Sequence, residues 1–325
     1  MSISSQRKEP LARVAVSGAQ IVDLQTVNPV ELQDLWACEV QLWHERLLWD
    51  RSDMWVALQR ALERGALPGK AVRVGARTVG YAFYVIRGRL GVIVALNVGA
   101  GWRDAEAGGT LLQATIDEIR RQGVYRIESQ FVAVDCPWLI PAFNQAGFRT
   151  YWREVLRSEL RRASAPATPT TPAQPEPWRD TDLHQAALIM QAAYDGGVDA
   201  ELNQLYRTSD GCQEVLESLL SQNGSGVFIP QASAMVRHRG RGIGFIAITG
   251  TAPRQAHLVQ VAVLPEYQRQ GVGRLLLDYS MSHLAALHFD KLSLIVSRSN
   301  HGALKMYRSM GFASVLSFPV FLWEL

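Results

Sequence analysis

The stretch VQVAVLPEYQRQGVGRLLLDYS, residues 259–280, carries the pattern best suited to chemistry. An apolar run ends at Val263-Leu264, Pro265 interrupts it, and a second apolar pattern starts near Gly271. That order predicts a strand, a polar turn and a helix. The turn Gln268-Arg269-Gln270-Gly271-Val272-Gly273 then lies at a helix N-terminus. The first N–H groups of a helix have no partner within it, and the helix dipole adds partial positive charge there. Together they suit a phosphate or pyrophosphate. Gly271 and Gly273 carry no Cβ to hold an anion off the backbone, and Arg269 and Arg274 add positive charge. The spacing is neither G-x-G-x-x-G nor G-x-x-x-x-G-K-[ST], so neither a dinucleotide fingerprint nor a P-loop is present. A tight turn without a ligand fits the same two glycines.

The elements around this turn follow from periodicity. Helical patterns cover about 182–194 and 211–222, and SAMVRHRG and RGIGFIAITG read as a hairpin about a Gly-Arg-Gly turn. AHLVQVAVLP and KLSLIVS read as strands, GVGRLLLDYSMSHLAALHF and NHGALKMYRSMG as helices, and FASVLSFPVFLWEL as a final strand pair. Strands with interspersed helices predict an α/β sandwich.

Composition narrows the class. The chain has 325 residues, 48% of them hydrophobic and 19% charged, which suggests a soluble protein of two domains. No apolar run reaches the roughly 18 residues that span a bilayer, and the polar start MSISSQRKEPLARVAVSG does not read as a signal peptide. A cytoplasmic protein without a membrane partner is the expectation. Residues 179–325 hold 12 basic and 12 acidic residues, so no nucleic-acid footprint is present there. Cys38, Cys136 and Cys212 are too widely spaced for a metal or disulfide pattern. No metal is expected. RASAPATPTTPAQPEPW (162–178) holds five prolines and reads as a semi-extended linker. It divides the chain into residues 12–161 and 179–325.

A second motif makes the first more specific. Twenty-seven residues beyond Gly273 begins NHGALKMYRSMGF, with Asn300, Ala303, Tyr307, Gly311 and Phe312. The pair of motifs resembles the two signatures of the GNAT acyltransferases, [RQ]-x-x-G-x-[GA] followed by N-x-x-A-x-x-x-Y-x-x-x-G-F. The resemblance covers about residues 180–325. It implies an acetyl-CoA-dependent N-acetyltransferase acting on a primary amine by direct attack, with acetyl-CoA as co-substrate. By resemblance, the loop Gln268, Arg269, Gln270, Gly271, Val272 and Gly273, with Arg274, binds the CoA pyrophosphate. The strand edge at Val261 and Val263 bonds the pantetheine arm, and Asn300 contacts the cofactor.

Tyr307 would protonate the leaving thiolate, a sensible task for a phenol near the sulfur, although a tyrosine on an amphipathic helix needs no such task. Some relatives carry a glutamate eleven residues before the loop, and His257 stands there. A histidine titrates near neutrality and could serve as the base; period two puts it on one face with Val259, Val261 and Val263, and Gln260 on the other. A water chain, with His257 merely capping a strand, is the alternative. Asp195, Asp199 and Glu201 could draw an ammonium group or form a solvated acidic stretch. The acceptor is a small-molecule or peptide amine, and the protein a monomer or homodimer. Mycothiol synthases and protein N-terminal acetyltransferases are alternatives within the family, and a non-catalytic CoA- or ligand-binding module lies outside it.

The first half repeats the pattern in altered form. NVGAGWRDAEAGGTLLQATIDEIRRQG matches AVLPEYQRQGVGRLLLDYSMSHLAALH when Gly109 is placed on Gly273, and Gly147-Phe148 falls on Gly311-Phe312. The chain therefore reads as two tandem GNAT-like domains, each a mixed, mostly antiparallel sheet flanked by helices. Asp104 and Glu106 replace Gln268 and Gln270, Ala107 replaces Gly271, Cys136 replaces Asn300, and Phe143 replaces Tyr307. Carboxylates beside the loop oppose an anionic ligand, and the phenol is gone. This half is expected to keep the fold and lose the chemistry. It also holds Trp36, Trp43, Trp49, Trp55, Trp102, Trp138 and Trp152, which read as core, or as an interdomain surface or a wall of the substrate pocket.

Overall fold

The computed structural model describes residues 18–102, 105–129, 131 and 132, 136–160, 174–221 and 226–325. Asp104 and most of the proline-rich segment lie outside the described residues, as does the side chain of Glu106. In chain order the main elements are β1 (Ala19–Asp23), α1 (Gln33–Leu47), α2 (Ser52–Glu63), β2 (Gly69–Val74), β3 (Arg77–Arg87) and β4 (Leu90–Val98). Then come α3 (Ala105–Arg121), β5 (Arg126–Ser129), α4 (Leu139–Gln145), β6 (Arg149–Glu159), β7 (Pro175–Pro177), α5 (Leu183–Tyr194), α6 (Val198–Leu202) and α7 (Ser209–Leu220). The last are β8 (Val227–Phe228), β9 (Ala234–His238), β10 (Arg241–Ala252), β11 (Gln255–Val263), α8 (Val272–Ala286), β12 (Lys291–Ser297), α9 (His301–Ser309) and β13 (Ala313–Glu324).

The described chain forms two compact units that do not follow the linker. The first comprises residues up to Cys38, then Ala57–Thr150 and Phe321–Leu325; the second comprises Glu39–Val56 and Tyr151–Val320. The second unit thus takes Trp43, Trp49 and Trp55 from the sequence of the first half, and the first takes the last five residues.

In the first unit β1, β2, β3 and β4 pair antiparallel in that order, β4 pairs parallel with β5, and Phe321–Glu324 pairs antiparallel with β5. In the second, β9, β10 and β11 pair antiparallel, β11 pairs parallel with β12, and β12 antiparallel with β6. Each unit is therefore a mixed, mostly antiparallel sheet with helices packed on it, as the sequence implied. The end of the proline-rich segment is not all linker, since Pro175–Pro177 pairs with β9.

The repeat holds in detail. Each unit has one parallel strand pair at its centre, and each has a β-bulge on the first strand of that pair, where β4 carries an extra residue opposite Phe83-Tyr84 of β3 and β11 one opposite Ala247-Ile248 of β10. α9 ends at Gly311 (φ 88°), and the Phe312 amide bonds back to the Tyr307 carbonyl at 3.1 Å. α4 ends at Gly147 (φ 84°), and the Phe148 amide bonds back to Phe143 at 3.0 Å. A left-handed residue here closes a helix cheaply only as glycine.

One element differs from the sequence reading. FASVLSFPVFLWEL is a single strand, not a pair. Pro319 lies beside the changeover at which the strand passes from the second unit to the first.

Both cores are built from the apolar faces. In the second, Ile246, Ile248, Leu276, Leu292 and Leu294 are fully buried beside Phe245. In the first, Phe143 stacks on Phe321 at a centroid distance of 3.8 Å, beneath Leu111, Ile116 and Ile127.

Candidate active site

The cleft of the second unit starts at the bulge. β11 pairs with β12 only from Gln255↔Lys291 to Leu258↔Leu294. Beyond Leu258 both strands continue, β11 to Val263 and β12 to Ser297, without pairing. The bulge causes this, because an extra residue bends its strand and raises the twist.

The backbone beyond the bulge faces the gap. Val263 is paired with Gly244, and the Leu264 amide bonds to the Ile243 carbonyl at 2.9 Å. Such a bond flanks a pair that is not itself hydrogen-bonded. Val263, and Val261 two residues earlier, therefore turn N–H and C=O away from β10, toward the opened side. This is the edge that the sequence reading assigned to a pantetheine arm.

The bulge also corrects the face assignment. His257 is paired with Thr249 and Gln260 with Ala247, and β10 alternates regularly between them. Paired residues share a face, so His257 lies with Gln260, not with Val261 and Val263. Period-two counting fails because Val259 is the extra residue.

His257 is also sealed. It is 6% exposed, its Nδ1 lies 3.0 Å from Ser293 Oγ, and Trp49 meets its ring edge-on. Burial pushes its pKa down to about 3. It stands neutral at pH 7 and is a poor proton acceptor there.

The loop has the geometry of an anion site. Gly271 is the N-cap of α8 in the left-handed conformation (φ 86°), with no side-chain cap. The first bond across this turn runs from the Leu275 amide to the Gly271 carbonyl at 2.9 Å, so the amides of Val272, Gly273 and Arg274 precede the helical ladder. Arg269 is also left-handed (φ 62°), a strain of about 1–3 kcal/mol for a side chain with a Cβ. Gln270 Nε2 donates to the Glu266 carbonyl at 2.7 Å, and Gln268 Nε2 to the Val263 carbonyl at 3.0 Å. The motif's glutamines hold the loop to itself and to the strand. Val272 is buried under β10, where a Cβ on Gly244 would lie 3.2 Å from it. Gly302, at the start of α9, leaves room in which its missing Cβ would stand 3.6 Å from the Arg269 guanidinium. Arg274 pairs loosely with Asp278 at 3.7 Å.

Asn300 caps α9. Its Oδ1 accepts the Ala303 amide at 3.1 Å, so its side chain has a helix-stabilising role whatever else it touches. Tyr307, 5% exposed, lies on the same helix. Burial first, and the Asp199 carboxylate second, hold its hydroxyl well above the usual phenol range. It keeps its proton throughout the physiological range.

Nothing local in the sequence marks Tyr194 or Tyr206 as neighbours of this edge. Tyr194 Oη accepts from Gln260 Nε2 at 2.9 Å and lies 3.3 Å from the Val261 carbonyl. Its ring stacks on Tyr206 with centroids 5.2 Å apart. Asp199 accepts from Ser297 Oγ at 2.7 Å and pairs with Arg153 at 3.3 Å, and Glu201 accepts from Tyr151 at 2.6 Å. Asp199 and Glu201 are thus held in a network, and of the three only Asp195 is exposed.

In the first unit the corresponding space is filled. Trp138 stands where the second unit has Gly302, and Gly108 where it has Val272. A Cβ on Gly108 would fall 2.5 Å from the Trp138 ring. The indole packs directly on the start of α3. Phe143 is fully buried between Phe148 and Phe321. Cys136 is half-buried.

Among the described residues no His, Cys, Asp or Glu cluster can hold a metal ion. No helix among them is long and apolar enough to cross a membrane.

Comparison with known proteins agrees with this geometry. The description "Acetyltransferase (GNAT) family" matches residues 199–312. The [ribosomal protein bS18]-alanine N-acetyltransferase of Escherichia coli K12 is 42% identical over 66 residues, which are 20% of this chain and 45% of that one. The chain thus matches about half the length of such relatives. Mycothiol acetyltransferase of Acidimicrobium ferrooxidans is 27% identical over 284 residues, 83% of this chain and 86% of that one. A solved tandem GNAT protein from the clavulanic acid biosynthesis pathway superposes with a TM-score of 0.61 over 94% of this chain and 98% of that one, at 16% identity. That last likeness is one of fold.

Proposed function

We propose that the second unit transfers an acetyl group from acetyl-CoA to a primary amine, a reading supported by the match of residues 199–312 to the acetyltransferase (GNAT) family and by the fold shared with a tandem GNAT protein. The observation that carries this reading is the splayed β11 edge in a unit whose core holds a protonated, buried Tyr307, with a left-handed glycine opening α8. The residues present fit the donor. The amides of Val272, Gly273 and Arg274, with Arg269, suit its pyrophosphate, and Val261 and Val263 offer an edge for an extended arm.

Bound acetyl-CoA supplies an acetyl group activated as a thioester. The acceptor nitrogen bonds to the acetyl carbon, and the carbon–sulfur bond breaks. The N–H groups at the β11 edge favour negative charge developing on the acetyl oxygen. Tyr307 holds a proton at Oη for the departing sulfur and recovers one from solvent. The surplus proton of the amine leaves to solvent, because His257 is buried and neutral. The first unit takes no donor in this reading, since Trp138 covers the start of α3 and Phe143 has no hydroxyl.

The relatives suggest two acceptor classes, a protein alanine and a small-molecule amine. The test is release of CoA from acetyl-CoA with an alanine-initiated peptide and with glucosamine. Turnover that falls about 100-fold in Tyr307→Phe, with donor binding retained, is the expected result. Turnover unchanged in that variant removes Tyr307 from the mechanism. Binding of CoA without turnover of either acceptor would favour a binding module.

A further inference from the structure

The open edge of β11 presents carbonyls as well as amides. A carbonyl dipole turned toward a site of developing negative charge opposes the reaction that an N–H assists. Both carbonyls on this stretch are engaged by side chains. Gln268 Nε2 donates to Val263 at 3.0 Å, and the Tyr194 hydroxyl lies 3.3 Å from the Val261 oxygen.

The Tyr194 hydroxyl has a fixed sense. Gln260 Nε2 donates to its oxygen at 2.9 Å, so its own proton is directed at Val261. A phenol has one proton to give. Gln260 is itself buried, at 6% exposure, on the face reached by α5 because of the bulge. The Tyr194 ring is held by its stack on Tyr206. Burial first, and the Asp199 carboxylate second, hold the Tyr194 phenol well above its usual range, so the hydroxyl keeps the proton it gives to Val261.

We propose that Tyr194, oriented by Gln260, is a positioning residue for acetyl transfer, which occupies the Val261 carbonyl so that the β11 edge turns N–H groups alone toward the thioester. It also ties the strand down where pairing with β12 has ended. This rests on the acetyltransferase reading of the same cleft. Neither residue touches the reacting atoms.

Tyr194→Phe keeps the ring stacked on Tyr206 and removes only the hydroxyl. The measurement is steady-state CoA release from acetyl-CoA by the full chain, with the alanine-initiated peptide and glucosamine as acceptors. The expected result is a fall in kcat of about tenfold, which is about 1.4 kcal/mol of transition-state stabilisation. KM for acetyl-CoA is expected to change less than about twofold, because ground-state binding is not touched. Gln260→Leu is expected to give the same split, and the double substitution to be no worse than Tyr194→Phe alone. A purely structural role would instead lower the melting temperature and raise KM.

Wild-type kcat in Tyr194→Phe overturns the proposal and leaves the acetyltransferase reading standing. Losses that add in the double variant overturn the orienting role of Gln260. If Tyr194→Phe does not fold, an unchanged kcat in Gln260→Leu overturns the dyad. No CoA release by the wild type with either acceptor overturns the acetyltransferase reading and this proposal together.

Discussion

Trp49 meets His257 edge-on, with ring centroids 4.6 Å apart and planes at 70°, and its indole N–H donates to Ser293 Oγ at 3.3 Å. The same hydroxyl lies 3.0 Å from His257 Nδ1. A segment some 200 residues before the turn at Gln268 thus completes the core around His257. The residue that looked most like a base is a buried packing element.

This arrangement fixes a pH dependence. Burial lowers the folded pKa of His257 to about 3, against an ordinary 6.5. Between those values the unfolded chain holds the proton and the folded one does not. Stability therefore rises with pH across that window and is lost as pH falls through it. Urea midpoints measured from pH 7 to pH 4 are expected to fall more steeply for the wild type than for His257→Gln. Parallel curves would show that the imidazole titrates normally in the fold.

Trp49 should matter more to stability than its place in the first half suggests. It is 9% exposed and packs on both His257 and Trp43. Trp49→Ala is expected to cost about 3–5 kcal/mol, read from the urea midpoint. A loss below about 1 kcal/mol would mean that this segment is not part of the second core.

Donor binding should be confined to the second unit. Gly271 sits at φ 86°, so Gly271→Glu adds backbone strain and a carboxylate at an anion site. Calorimetric titration of acetyl-CoA into the full chain is expected to give one site, abolished by that substitution. Two sites would show that Trp138 does not close the first unit.

Restoring the missing phenol should restore nothing. Phe143 is fully buried and stacked on Phe321 at 3.8 Å. Phe143→Tyr would place a hydroxyl in that core at a cost of about 1–3 kcal/mol. With Gly271→Glu also present, no CoA release is expected. Turnover by that double variant would mean the first unit retains a working site.

Much of the site was legible in the chain because its determinants are local. Gln268–Gly273 forms a strand-to-helix turn, and Asn300 with Gly311 bounds a helix. Each depends on a few consecutive residues, on caps and on φ > 0, so spacing alone carries it. The internal repeat was legible for the same reason. The paired Gly147 and Gly311 endings are turn chemistry written in sequence.

What only the tertiary structure decided depends on residues far apart in the chain. A bulge is set by the register between two strands, and period-two counting along one strand cannot reveal it; hence His257 and Gln260 share a face. Nothing local marks Trp49 as the cover of His257, Trp138 as the occupant of the space on Gly108, or Tyr194 as the partner of the Val261 carbonyl. Nor does the linker composition reveal that β13 belongs to the second unit up to Val320 and to the first from Phe321. Local sequence fixes dihedral angles and caps, whereas burial, face and partner are properties of the packed chain.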